Sequence, residues 1–155
     1  MEGIHRDSLI RLEELNREIS AVERKVSRLK RLQDPEDIDS YIRAIASAIQ
    51  SAYTGMEKIL KEILRTYDGS VPSGEDWHVM LLKRAVLPDP GNERPAVISR
   101  ETMESLDLLR SFRHVVRHVY HYNLHPERVL EQAGILLAVA PGFQREILEF
   151  LEVMG

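Results

Sequence analysis

The sequence predicts an all-α fold, an up-down four-helix bundle with one extra short helix. Three observations predict it. Apolar residues recur at alternating spacings of three and four through long stretches, the period that lines one face of an α-helix. Helix-starting residues stand at the head of these stretches, at Asp34-Pro35, Ser99 and His125-Pro126. The composition, 43% apolar and 30% charged with only 6% aromatic residues, suits helices joined by polar turns better than a sheet rich in Val, Tyr and Phe. A length of 155 residues is close to that of one domain, and a single helical domain over residues 1–155 is expected.

Each element follows from its own pattern. Leu12, Leu15, Ile19, Val22, Val26 and Leu29 make one seam, which predicts a helix from about Asp7 to Leu32. Asp34 then offers a side chain to free amide hydrogens, Pro35 fits the first helical position, and a second seam runs Ile38, Ile42, Ile45, Ile49, Ala52, Met56, Ile59, Ile63. The pair reads as two long antiparallel helices. The middle of the second is built of small residues, among them Ser47, Ser51 and Gly55, which points to close packing. Residues 67–74 and 88–95 read as loops around a short helix near Asp76 to Leu87. Ser99 is placed to cap a long helix ending near Leu124, and the closing helix is expected to break near Pro141-Gly142 and resume to about Val153.

Composition also bounds function. The chain has no cysteine, which excludes disulfides and thiolate metal sites. No run approaches the roughly 18 apolar residues of a membrane span, and residues 1–7 carry no signal-like apolar stretch, so a soluble cytoplasmic protein is expected. A net charge of -4 argues against coating nucleic acid by bulk electrostatics, but a local basic stripe still suits a phosphate.

The helix expected after Ser99 carries such a stripe. Each residue advances roughly 100°, so with Arg113 at zero, Leu108, Leu109, Phe112, Val115, Val116, Val119 and Tyr122 fall on one apolar arc. Arg117, His121, His114 and His118 fall at roughly 40°, 80°, 100° and 140°, and Tyr120 about 20° to the other side. Guanidinium groups fork onto phosphate oxygens, and imidazoles exchange protons near neutral pH, so the face has the chemistry of a phosphodiester site. A solvated Arg/His face is the simpler alternative. The His spacing of three and four also suits a metal, but the flanking arginines oppose a cation and no carboxylate is interleaved, so no metal is expected. Trp77 reads as a core anchor, with His78 beside it as a residue that could rim a nucleotide site. Glu57 faces away from the Met56 and Ile59 seam and could meet the basic stripe, but an ordinary surface salt bridge is the simpler reading.

Arg113-His-Val-Val-Arg-His118-Val-Tyr120 resembles the R-x4-H-x-Y motif of HepT-like toxins, members of the HEPN superfamily of small helical ribonucleases. The layout of two long helices, a loop with Trp77-His78, the motif helix and a closing helix is similar as well. The resemblance implies a HEPN-like bundle and a metal-independent endoribonuclease needing no cofactor, in which a homodimer brings two motif helices together. Carried onto this sequence, it implies that Arg113 holds the scissile phosphate and that His118 acts as general base or acid. His114 and Arg117 become supporting phosphate-binding groups. It further implies an RNA substrate and a minimal nucleotidyltransferase antitoxin as partner, which can add AMP to Tyr120. The alternative from another class is a non-catalytic helical module that binds a nucleotide or docks a nucleotidyltransferase; His118 discriminates the two, because anion binding tolerates its replacement by Gln and proton transfer does not.

Overall fold

The two N-terminal seams form α1 (Glu2–Leu29) and α2 (Pro35–Asp68), joined by the turn at 30–34. The computed structural model describes residues 2–119 and 124–155, without the side chains of Glu2, Ile4, His118 and Val119. α1 begins before the expected Asp7 and ends three residues before Leu32, where backbone turn bonds from Arg31 and Leu32 reach Arg28 and Leu29. Asp34 caps α2 as expected: its carboxylate accepts the Glu36 N–H at 3.1 Å and its backbone is extended. The pairing is antiparallel, since Arg11 meets Glu62, Glu18 lies over Gly55, and Arg28 lies over the Tyr41 ring.

Three further helices complete the described fold: α3 (Trp77–Val86), α4 (Arg100–Val119) and α5 (Pro126–Met154), with a single 3-10 turn at Pro90–Asn92. The all-α prediction holds, with four long helices and one short one. None among the described residues is long and apolar enough to cross a membrane. α2 is the element with most neighbours, touching all four other helices. Its buried face is therefore wider than one seam: Tyr53, Leu60 and Leu64 are buried beside Ile45, Ile49, Met56, Ile59 and Ile63.

Two expectations fail for physical reasons. α5 is not broken at Pro141-Gly142; the proline sits inside a continuous helix. Losing one backbone donor and displacing a carbonyl costs about 3 kcal/mol, but Val139, Ala140, Phe143 and Ile147 are buried on both sides while Pro141 itself faces solvent. Burial holds the helix through the defect. Leu108, placed on the apolar arc of α4, is 52% exposed, whereas Leu109, Phe112 and Val116 are buried. Ser99 does cap α4, its hydroxyl accepting the Thr102 N–H at 3.1 Å, and Glu146 of α5 fastens the same end through Ser99 and Thr102. Leu124 is not helical, and the stretch between it and Val119 lies outside the described residues.

The segment between α2 and α4 is held by one buried ion pair. Gly69, at φ 77°, ends α2 in the left-handed conformation that glycine adopts without steric cost. Arg94, 3% exposed, then reaches back to Asp68 with both Nε and Nη2 and donates from Nη1 to the carbonyls of Leu87 and Pro95. Removing one partner leaves the other charge buried and unmatched. Arg94→Ala is expected to lower stability by about 3–5 kcal/mol in urea unfolding, with Asp68→Ala similar and the double variant well short of their sum; additive losses contradict a coupled pair.

Candidate functional site

Three helices converge on one carboxylate. Glu57 lies on α2 at the margin of its widened buried face and is 3% exposed. The Tyr53 hydroxyl, one turn earlier, donates to its Oε2 at 2.8 Å. His78 of α3 brings Nδ1 to 2.5 Å from the same oxygen, a hydrogen bond when that nitrogen carries the proton. Arg113 of α4 brings Nη1 to 3.5 Å from the other oxygen, Oε1. A charged group out of water is tolerated only when paired and hydrogen-bonded, and Glu57 satisfies that condition through two neighbouring helices as well as its own.

His78 is itself braced. Its ring lies 3.5 Å, centroid to centroid, from that of Trp77, and the Lys61 ammonium of α2 stands 4.4 Å from the Trp77 ring centroid. The cation-π contact and the stacked pair fix the start of α3 against α2. Trp77 packs partly buried against the core, as its reading as an anchor expected. Tyr53 is 1% exposed, and its phenol is held above the ordinary tyrosine range. Burial is the main cause; the Glu57 charge and hydrogen bond add to it, and Arg110 and Arg113 oppose it.

Arg113 is thus neither solvated nor sealed: its side chain is 17% exposed, and it lines two cavities. One, of about 220 Å³, lies between α3 and α4, bordered by His78, Arg110, Arg113, His114 and Arg117 with Glu75 and Asp76 at its edge. The other, of about 310 Å³, opens toward α1 and α2 and shares Arg113 and Arg117. One guanidinium N–H faces Glu57, which leaves the other donors of the fork for a ligand anion. Arg113, His114 and Arg117 therefore meet at one cavity, as the helical spacing predicted. His118 falls within α4, but its side chain lies outside the described residues, as do Tyr120 and His121.

Glu57 is a correction to the sequence reading, which favoured an ordinary surface salt bridge; His78 lines the smaller cavity and holds Glu57, a contact the sequence reading did not include. A signal existed. Tyr53, Leu60 and Leu64 flank Glu57 within roughly 60° on the helical wheel, so an acidic residue stood at the border of an apolar arc with a tyrosine one turn before it.

An all-α bundle in which the fourth helix presents an Arg/His face, anchored from beneath by a buried carboxylate, is the class of protein that this fold and site define. A family model described as HepT-like protein matches residues 44–154. The chain belongs to the HepT-like family, as the motif resemblance implied. No curated protein and no solved structure matches it.

The raised Tyr53 phenol has a pH consequence. Above pH 10, the ordinary tyrosine value, the unfolded chain releases a proton that the native state keeps, so stability present below that pH falls as pH rises, by up to about 1.4 kcal/mol per unit. Tyr53→Phe is expected to make the alkaline decline of the urea midpoint shallower than in wild type; equal slopes contradict the assignment.

Proposed function

We propose that the chain is the toxin of a toxin-antitoxin pair, a metal-independent endoribonuclease acting on RNA, with Arg113 and His118 as its catalytic residues. The observation that carries this reading is Arg113: a guanidinium held by a buried carboxylate at a cavity wall, beside Arg117 and His114 and one and a half turns before His118 on the same helix. Membership of the HepT-like family supports it.

The chemistry uses the 2′-OH that distinguishes RNA from DNA. His118 takes the 2′-OH proton, the 2′-oxygen bonds to phosphorus, and the bond from phosphorus to the 5′-oxygen breaks as that oxygen receives a proton from a second imidazole or from the same one in its protonated form. The products are a 2′,3′-cyclic phosphate and a 5′-hydroxyl. Arg113 stabilises the charge that builds on the phosphoryl oxygens, an electrostatic contribution that grows where water is excluded, and Arg117 and His114 hold the flanking phosphate. A homodimer joins two such helices into one composite site. The partner is a minimal nucleotidyltransferase antitoxin that adenylylates Tyr120; the added phosphate competes with RNA for the arginines.

Two experiments test this. The purified protein in EDTA is expected to cleave total RNA to cyclic-phosphate ends, with Arg113→Ala and His118→Ala each reducing the rate by roughly a hundredfold or more; no cleavage by folded, unmodified wild type shifts the assignment to a non-catalytic binding module. In cells, Tyr120→Phe is expected to stay toxic and escape the antitoxin, while AMP addition persisting in that variant excludes Tyr120 as the acceptor.

A further inference from the structure

His78 is held in a way that a solvated histidine is not. Its Nδ1 lies 2.5 Å from Oε2 of Glu57, a carboxylate 3% exposed, and its ring stacks on that of Trp77. A charged acceptor at Nδ1 keeps a proton on that nitrogen, which fixes the tautomer and the direction of the ring. Nε2, across the ring from Glu57, is then the nitrogen left to meet a ligand, and the side chain is 26% exposed. A carboxylate on Nδ1 with the reacting atom at Nε2 is the arrangement that prepares an imidazole for proton transfer.

The ring also stands beside the group that would hold the phosphate. Glu57 gives Oε2 to His78 and Oε1 to Arg113, so one carboxylate sets the imidazole and the guanidinium next to each other. Both line the cavity of about 220 Å³ between α3 and α4, together with Arg110, His114 and Arg117. That volume is below the roughly 300–1,000 Å³ of sites for whole small molecules and suits a phosphate with the oxygens it carries. In an in-line displacement the attacking and leaving oxygens lie on opposite sides of phosphorus, so the base and the acid must approach from different directions. His118 belongs to α4 and His78 to α3, two helices that flank the same cavity.

Resting on the ribonuclease reading above, we propose that His78, oriented by Glu57, is the general acid of RNA cleavage, the second imidazole of that reaction. As His118 takes the 2′-OH proton and the 2′-oxygen bonds to phosphorus, the protonated ring of His78 gives its Nε2 proton to the 5′-oxygen while the bond from phosphorus to that oxygen breaks. His78 is left neutral with its Nδ1–H on Glu57, His118 is left protonated, and exchange with water restores both. Glu57→Gln retains one oxygen to accept the Nδ1–H, so the substitution that removes the acid is at His78 itself.

The leaving group separates an acid from a scaffold. The full chain, as wild type and as His78→Asn, whose amide N–H can replace the Nδ1–H donor to Glu57, is given an RNA oligonucleotide spanning a cleavage site mapped in total RNA. It is also given the same oligonucleotide with sulfur in place of the 5′-oxygen at that linkage. A thiolate leaves without a proton, so only the ordinary substrate needs the acid. His78→Asn is expected to cut ordinary RNA about a hundredfold more slowly, and the sulfur-substituted RNA within about threefold of the wild-type rate. Equal slowing on both substrates makes the role of His78 structural and overturns the proposal, as does ordinary RNA cut at the wild-type rate. Should the unfolding midpoint show that His78→Asn does not fold, His78→Gln takes its place under the same expectations. Wild type that cuts neither substrate overturns the ribonuclease reading and the acid with it, whereas wild type that cuts both, with no dependence on the leaving group in the variant, overturns the acid alone.

Discussion

The contact of Glu57 with Arg113 is the constraint on which the site depends. A carboxylate 3% exposed is stable only with charged or hydrogen-bonding partners, and here they come from three elements: Tyr53 on α2, His78 on α3 and Arg113 on α4. The penalty of burying the charge is offset only when those helices stand in their native positions. The polar cluster therefore specifies how α3 and α4 dock on α2, while the apolar seams supply the bulk of the burial. Arg113 gains from the same arrangement: its guanidinium is oriented before any ligand arrives, which reduces the ordering that binding requires.

A second polar anchor works the same way one layer out. Arg94 and Asp68 secure the segment that carries α3, so the position of His78 depends on an ion pair 26 residues apart in sequence. α1 contributes differently. The family match starts at Ala44, so α1 lies outside it, yet α1 supplies Arg11, Glu14 and Glu18 to the larger cavity beside Arg113.

Much of the fold was legible because its signals are local. The seams of α1 and α2, the cap at Asp34 and the hydroxyl of Ser99 each involve residues within a few positions of one another, and the structure bears them out. The failure at Pro141 is instructive: the residue's own chemistry argues for a break, but the burial of Val139, Ala140, Phe143 and Ile147 is a tertiary contribution invisible to local reading. The same holds for the site. Helical arithmetic brought Arg113, His114 and Arg117 together, since one helix fixes their spacing. Glu57 was misjudged because the wheel of α2 shows only its place at the border of the Tyr53, Leu60 and Leu64 arc, while its burial is completed by α3 and α4, and Leu108 was misjudged because the wheel cannot say how wide a neighbour's footprint is.

The claim at the centre of this account is that Glu57 acts as the positioning residue for Arg113, and a double-variant cycle tests it most directly. RNA cleavage rates and unfolding midpoints are measured together for wild type, Glu57→Gln, Arg113→Ala and the double variant, so that loss of fold is separated from loss of rate. If Glu57 works through Arg113, Glu57→Gln slows cleavage in a folded protein, and adding it to Arg113→Ala slows cleavage no further. Independent, multiplying losses in the double variant, or a folded Glu57→Gln that cleaves at the wild-type rate, contradict the account.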